Sequence, residues 1–167
     1  MAPALTADNP GLDLESALLV EGGRLYAIAL AILRDAGEAE DAVQETMELA
    51  WRSRSSLRSK GSQAAWLTRI CVRHSLHRRR RWFRAGHVAG DASMALLAPL
   101  APFVPRDVDL DRAIGRLSAQ QRAVVALHYG HGYTVDESAA LMGCRPGTAR
   151  SHLARALACL RRDLRDD

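Results

Sequence analysis

The C-terminal part of the chain reads, from residue 134 to residue 164, TVDESAALMGCRPGTARSHLARALACLRRDL. Thr134 and Glu137 have the spacing of a capping box, in which the first side chain accepts a backbone N–H bond and the second reaches back. Gly143 suits the left-handed position that ends such a helix, and a tight turn follows it. Thr148 then begins a longer amphipathic helix. A short helix, a turn and a longer helix predict a helix-turn-helix.

The last helix of this segment divides into two faces. Ser151, Arg155 and Arg162 project from one side, with Thr148 and Arg150 flanking them. Arginine can bind guanine through two hydrogen bonds, and the hydroxyls can serve phosphates or bases. This face predicts DNA binding, with a merely solvated amphipathic helix as the alternative. The opposite face is apolar and predicts contact with the helix's own domain; it comprises Ala149, Leu153, Ala156, Leu157, Leu160 and Leu164.

The rest of the sequence is also helical in its periodicity. Apolar residues recur at intervals of three and four over residues 14–33, 38–51 and 63–81. Gly22 and Gly23 predict a break or kink in the first of these helices. No alternating strand pattern of useful length is present. The predicted fold class is therefore all-α, with two small helical domains joined by a flexible linker.

A stretch rich in proline and glycine separates the two helical parts. Residues 85–105 contain three prolines, two glycines and a single acidic residue. Leu97, Phe103 and other apolar side chains of this stretch are costly to leave in water, so it packs on a domain or lies in a groove of a partner. Beyond it, Ser118 and Gln121 form a second capping box. The predicted organisation is a disordered tail over 1–11, a first domain over 12–84, a linker over 85–106 and a second domain over 107–167.

The composition is that of a globular protein, but the charges are segregated. The 167 residues are 48% hydrophobic, which is enough for a buried core and excludes a wholly disordered chain. The net charge of +4 conceals three blocks. Residues 35–51 hold six acids and no base, residues 52–84 hold eleven bases and no acid, and residues 145–165 hold six bases and one acid. Blocks of this length predict separate surfaces for separate partners.

Cysteine usage and the N-terminal sequence argue against a secreted protein. The three cysteines are widely spaced without a CxxC pair, the N-terminus lacks the features of a signal peptide, and no apolar run is long enough to span a membrane. We therefore expect a reduced, cytoplasmic protein. Cys71, His74 and His77 lie at steps of three, which spreads them around one helix, so we expect no metal site. No catalytic residue set or phosphate loop stands out, so we expect neither enzymatic activity nor a cofactor.

Two parts of the sequence resemble a known family. The string AEDAVQET at residues 39–46 is similar to region two of bacterial RNA polymerase sigma factors. The strings IGRLSAQQRAVV at residues 114–125 and TARSHLARA at residues 148–156 resemble region four. The two motifs stand in the family's order, with a short linker between them. On this resemblance the chain is identified as a member of the small extracytoplasmic-function (ECF) group of the sigma-70 family.

The resemblance implies a role for each charged block. The acidic helix would dock on the β′ coiled coil of core RNA polymerase, and region four on the β flap. The basic block would recognise the promoter minus-ten element, with a loop over residues 53–62 that captures a flipped base. For Trp66 a core position is the alternative. The polymerase-binding residues implied are Asp41, Gln44, Glu45, Glu48 and Trp51. The minus-ten residues implied are Ser55, Ser56, Arg58, Lys60, Trp66, Arg69, Arg73, Arg78, Arg79, Arg80 and Arg81.

Region four would read the minus-thirty-five element as duplex DNA. His152 stands where the family often has arginine, and the linker is apolar where family members are often polar or acidic. The resemblance also implies an anti-sigma factor as a regulatory partner, and no membrane insertion of the chain itself. The residues implied in minus-thirty-five binding are Arg145, Gly147, Thr148, Arg150, Ser151, His152 and Arg155.

Two other function classes remain open on the sequence. One is a helix-turn-helix repressor or activator whose N-terminal half forms a dimer. The other is an interaction module that uses the same helices to bind protein only. Transcription that depends on this chain and on core polymerase would distinguish a sigma factor from a helix-turn-helix regulator and from an interaction module.

Overall fold

The computed structural model describes residues 10–54, 63–85 and 107–165. Seven α-helices and one π-helical turn account for most of this part of the chain, and no strand occurs in it. The predicted all-α class is confirmed.

The first three helices form a bundle. They are α1 (Pro10–Leu33), α2 (Ala36–Arg52) and α3 (Gln63–Arg84). Leu25 and Leu33 of α1 pack with Ala42 of α2 and Leu67 of α3 in one apolar cluster. Asp35 caps α2, because its side chain accepts a hydrogen bond of 2.9 Å from the backbone N–H of the residue three positions on. The shared apolar cluster holds the acidic helix α2 and the basic helix α3 side by side.

Helix α1 runs without interruption through Gly22 and Gly23, so the predicted break was wrong. Glycine in a helix interior destabilises the helix by about 1 kcal/mol relative to alanine. This cost is smaller than the stabilisation gained by burying Leu25, Ile28 and Leu33 farther along the same helix. Two glycines without tertiary support would interrupt a helix, but this helix packs against both α2 and α3.

The N-terminal boundary also lies earlier than predicted. The first helix includes Pro10 and Gly11, which the sequence placed in a disordered tail. Residues 1–9 and 86–106 lie outside the described part of the chain, as do most of the predicted tail and linker.

The C-terminal helices form the predicted helix-turn-helix. They are α4 (Val108–Arg116), α5 (Ala119–Val125), α6 (Val135–Met142) and α7 (Pro146–Asp163), with the π-helical turn Ala126–Gly130 after α5. Both predicted capping boxes are confirmed, with the two reciprocal hydrogen bonds present at Ser118 and at Thr134. Gly143 ends α6 in the left-handed conformation at a φ of 72°. The turn between α6 and α7 is therefore fixed from both sides.

The two helical parts pack against each other through a shared apolar cluster. Ile28 and Ile32 of α1 and Val72 of α3 lie in the same cluster as Val124 and Leu127 of the C-terminal part. A core that continues across the two parts is a tertiary feature that the sequence analysis did not predict. It brings α3 against α6 and α1 against α5.

Arginine side chains close the junction around this cluster. Arg122, only 4% exposed, donates to the backbone oxygens of Ala31 (3.0 Å) and Ile32 (2.6 Å) at the C-terminal end of α1. Burial lowers the pKa of Arg122 to about 10, and the charges of other arginines act in the same direction. Arg34, which has a φ of 59°, pairs with Asp111 of α4 at 2.7 Å. The C-terminal part thus supplies the hydrogen-bond donors that end α1.

Candidate protein and nucleic-acid interfaces

The predicted protein-binding face lies on the outer side of α2. Asp41, Gln44 and Glu48 are exposed, while Glu45 is half-buried. All four line an open groove between α2 and α3 that His74 also lines. Their spacing places them on one side of α2, because its opposite side is buried through Val43 and the neighbouring core positions.

Trp51 lies at the end of this helix and is 47% exposed. The guanidinium of Arg54 lies 4.8 Å from the centre of its ring, within the range of a cation–π contact. An exposed aromatic ring next to a row of carboxylates is a suitable anchor for a protein partner.

Arg78 of α3 lies among the carboxylates of α2. Its guanidinium donates to Glu38 at 2.5 Å and to Glu45 at 2.7 Å, and it lies 3.4 Å from Asp41. Burial acts to lower the pKa of Arg78, but hydrogen bonding to Glu38 and the charges of the three carboxylates outweigh it and raise the pKa. Arg78 was predicted from the sequence to be a DNA ligand. In the structure its guanidinium lies among the carboxylates of α2 instead.

The candidate metal ligands of the sequence analysis do not converge. Cys71 is buried with its Sγ 3.5 Å from the backbone oxygen of Leu25, whereas His77 is exposed. His74 Nε2 lies 2.5 Å from Glu45 Oε2, but off the direction of a well-formed hydrogen bond. In the described ranges, no group of three histidine, cysteine or acidic side chains is arranged to hold a metal ion.

The remaining predicted minus-ten residues of α3 differ in how accessible they are. Arg69, Arg80 and Arg81 are exposed, and Arg79 lies 5.5 Å over the ring of Trp82. Trp66 is half-buried against the core of the first three helices, which supports the alternative that it is a core residue. Ser55, Ser56, Arg58 and Lys60 lie outside the described residues.

Arg73 takes part in the junction between the two helical parts. Its guanidinium donates to the backbone oxygen of Ala140 in α6 at 3.2 Å. A Cβ placed on Gly143 would lie 3.1 Å from Arg73 Nε, which is tighter than ordinary contact. A side chain at this position would therefore require the Arg73 guanidinium to shift by a few tenths of an ångström.

The predicted DNA-reading side of α7 faces solvent. The exposed residues of this face are Arg145, Gly147, Thr148, Arg150, Ser151 and Arg155. His152 is half-buried, and burial together with the charge of Arg155 lowers its pKa. A neutral, half-buried histidine is a weaker phosphate ligand than the arginines beside it.

Two contacts orient side chains of this face. Arg150 pairs with Asp136 of α6 at 2.6 Å, and the Ser151 hydroxyl donates to the backbone oxygen of Gly147 at 2.9 Å. The helix-turn-helix therefore presents an arginine whose direction is set by the preceding helix, together with arginines at both ends of the face.

Apart from Arg73, the arginines that join the two parts were not among the site residues predicted from the sequence. Arg24 donates to the hydroxyls of Thr68 and Tyr133, and Arg34 and Arg122 bind across the junction. Arg122 lies inside the string that resembles region four. It stands beside the buried Ala123 and Val124 on α5, and this apolar neighbourhood was the only local signal that it is buried. The partners of these arginines are distant in sequence and gave no local signal.

In the part of the chain that the structure describes, no helix is both long enough and apolar enough to cross a membrane.

Two family models match the sequence, one in each helical part. Residues 20–84 match Sigma-70 region 2, and residues 107–160 match Sigma-70, region 4. The ECF RNA polymerase sigma factor SigM of Mycobacterium tuberculosis is 33% identical over 139 residues, which is 83% of this chain and 70% of that protein. The ECF RNA polymerase sigma factor SigL of Mycobacterium tuberculosis is 31% identical over 148 residues, covering 85% and 83% of the two chains.

Solved structures with the same fold span nearly the whole chain. The sigma factor RpoE of Bartonella quintana, in complex with the anti-sigma factor NepR, has a TM-score of 0.71 and 26% identity, covering 93% of this chain and 98% of that chain. CnrH, in complex with the cytosolic domain of CnrY, has a TM-score of 0.66 at 24% identity, covering 96% of this chain and 92% of that chain. The second likeness concerns the fold alone.

Proposed function

Because this chain belongs to the sigma-70 family of RNA polymerase sigma factors, as an ECF member, we propose that it directs core polymerase to promoters through the three charged surfaces described above. The observation that carries this proposal is their separation: an exposed acidic ridge on α2, a basic face on α3 and a basic recognition helix α7. The chain would act as a specificity subunit of polymerase and not as a catalyst.

The acidic ridge of α2 is the proposed contact with core polymerase. Asp41, Gln44 and Glu48 are exposed on one side of the helix, with Trp51 at its end. A row of this kind fits a basic pair of helices such as the β′ coiled coil, because opposite charges steer the encounter and fix the register. The β flap is the proposed second contact, made by the C-terminal part.

The exposed arginines of α3 are the proposed ligands of the melted minus-ten strand. Arg69, Arg80 and Arg81 are accessible, whereas Arg73 is bonded to Ala140 in the present arrangement. Binding DNA through Arg73 therefore requires its hydrogen bond to Ala140 to break, and the side chain is exposed enough to turn away. Capture of an unstacked base makes duplex opening favourable without nucleotide hydrolysis, because binding offsets the loss of stacking.

The exposed face of α7 is the proposed reader of the minus-thirty-five duplex. Arg145, Arg150 and Arg155 supply guanidinium groups, and Thr148 supplies a hydroxyl. Guanidinium groups suit both phosphates and the guanine edge in the major groove. We expect His152 to contribute less than these arginines, because its imidazole is half-buried.

An anti-sigma factor is the proposed regulatory partner. The likeness to RpoE, solved with its anti-sigma factor NepR, supports this assignment. The apolar linker predicted from the sequence is a further reason, because such a segment is more stable when a partner covers it.

Run-off transcription with purified core polymerase tests the proposal. Transcription from a candidate promoter should require this chain, and Asp41→Ala/Gln44→Ala should weaken core binding about tenfold or more, because a central pair of contacts is lost. The same double variant should bind minus-thirty-five duplex like the wild type, because α7 is unchanged.

Glu40→Ala is the matched control for this variant. It removes an exposed charge from the same helix on the side of Tyr26, and core binding should stay close to wild type. Wild-type core affinity in the double variant would contradict the assignment of the acidic ridge. Specific DNA binding without any dependence on core polymerase would favour the repressor alternative.

A further inference from the structure

Arg78 lies in a different environment from Arg80 and Arg81, the last two arginines of the same run. Its side chain is 21% exposed and lies between α2 and α3, whereas Arg80 and Arg81 are exposed. A run of four arginines suggests one continuous phosphate-binding strip. In the structure, the first member of the run turns towards α2 and binds carboxylates.

The geometry of these contacts uses the full width of the guanidinium group. Nε and Nη2 donate to Glu38 at 2.9 and 2.5 Å, and Nη1 donates to Glu45 at 2.7 Å. One planar group thereby ties two carboxylates that lie seven positions apart on α2. A lysine ammonium cannot reproduce this arrangement, because it is a point charge without fixed donor directions.

These bonds hold the carboxylates nearest to α3 to different degrees. Glu38 is held against α3 with 25% of its side chain exposed, whereas Asp41, at 3.4 Å from Arg78, keeps 64% exposed. Without Arg78, the acidic side chains of this face would repel one another and take up many rotamers. With it, Glu38 and Glu45 are tied to α3, and Asp41 stays in place beside the exposed Gln44 and Glu48.

We propose that Arg78 is a positioning residue of the core-polymerase surface and is not a ligand of promoter DNA. The inference rests on the proposed function, since it concerns the surface assigned there to core polymerase. It divides the basic run between two tasks: Arg78 orders the acidic ridge, and the arginines that follow it bind the DNA backbone.

Arg78→Lys is the central test, because it keeps the charge and removes the planar fork. Core polymerase affinity should fall about two- to fivefold, the range expected for weakening a surface ion-pair network. Glu38→Gln should also lower core affinity, because it weakens the same contact, although Glu38 itself is not on the ridge. The two changes together should cost less than the sum of their separate effects, because they break the same contact.

The salt dependence of DNA binding separates positioning from direct DNA contact. Holoenzyme formed at saturating core concentration is titrated with a minus-ten single strand over a range of salt. Arg78→Ala should keep the wild-type slope, whereas Arg80→Ala, the matched control in the same run, should reduce the slope by about 0.7, the value for one phosphate contact on a single strand. Urea unfolding of each variant verifies that the three-helix bundle carrying the change is folded.

Two results would overturn the assignment of Arg78. One is wild-type core affinity in Arg78→Lys, and the other is a slope in Arg78→Ala that falls as far as in Arg80→Ala. Failure of the proposed function gives a different pattern, since the wild-type chain itself would then not bind core polymerase.

Discussion

The Cys71 thiol lies in the core of the first three helices. It is fully buried between α1, α2 and α3, and burial raises its pKa from 9.0 to about 11. In the unfolded chain the thiol ionises near pH 9, so between pH 9 and 11 the unfolded state has lost a proton that the folded state keeps. This group therefore contributes stability below pH 9 that is lost as the pH rises to 11, amounting in full to about 3 kcal/mol.

A comparison of Cys71→Ala with wild type isolates this effect. At pH 8 the variant should be less stable, because a buried side chain has been truncated. The difference in free energy of unfolding should narrow by about 1 to 2 kcal/mol between pH 8 and pH 10.5, because only the wild type has the thiol to ionise on unfolding. Urea unfolding under reducing conditions, at each pH, measures this difference in the free energy of unfolding. Val72→Ala, a truncation of the neighbouring buried residue, should keep a constant difference, and a constant difference in Cys71→Ala would contradict the prediction.

Helix α1 illustrates how packing can override a local signal. Gly23 lies in its interior with a negative φ, and a Cβ placed there would meet nothing within 4 Å. Nothing in the surroundings of Gly23 requires glycine, so the residue only raises the entropy of the unfolded chain.

Gly23→Ala should therefore stabilise the protein by about 0.5 to 1 kcal/mol. The urea midpoint should rise with an unchanged slope of the transition, and core binding should be unaffected. Gly22→Ala is a useful comparison, since its Cβ would lie at an ordinary contact distance of 3.7 Å from Met47. Loss of stability in Gly23→Ala would indicate that α1 must bend at this point.

At the level of elements, the sequence predicted the helix caps and turns, which depend on residues close together in the chain. The capping boxes at Ser118 and Thr134 and the turn at Gly143 were confirmed because their partners lie within a few residues. The break at Gly22 and Gly23 was wrong because α2 and α3 stabilise α1 from outside. The position of Arg78 could not be predicted, since its partners lie 33 to 40 residues away.

At the level of the whole molecule, the junction between the two helical parts includes a close approach of Arg73 to Gly143. Gly143 and Gly132 both have a left-handed φ, of 72° and 73°. A Cβ on Gly143 would press on Arg73, whereas one on Gly132 would meet nothing within 4 Å. The two glycines therefore share the backbone requirement and differ only in their neighbours.

Gly143→Ala should destabilise the protein more than Gly132→Ala does. Each substitution costs about 1 kcal/mol for the left-handed backbone, and the first should lose a further 0.5 to 1 kcal/mol, roughly one hydrogen bond, as Arg73 is displaced from Ala140. Thermal unfolding of the two variants measures the difference. In an Arg73→Ala background the excess should vanish, and an excess that persists there would show that it arises elsewhere.

The apolar cluster shared by the two helical parts makes their packing sensitive to temperature. Separation of α3 from α6 and of α1 from α5 would hydrate side chains such as Ile28, Val72 and Leu127. Hydration of apolar surface carries a positive heat-capacity change, and the penalty for it decreases as water is cooled. The closed arrangement is therefore held less tightly in the cold, and the apolar surface between α3 and α6 becomes easier to uncover as the temperature falls.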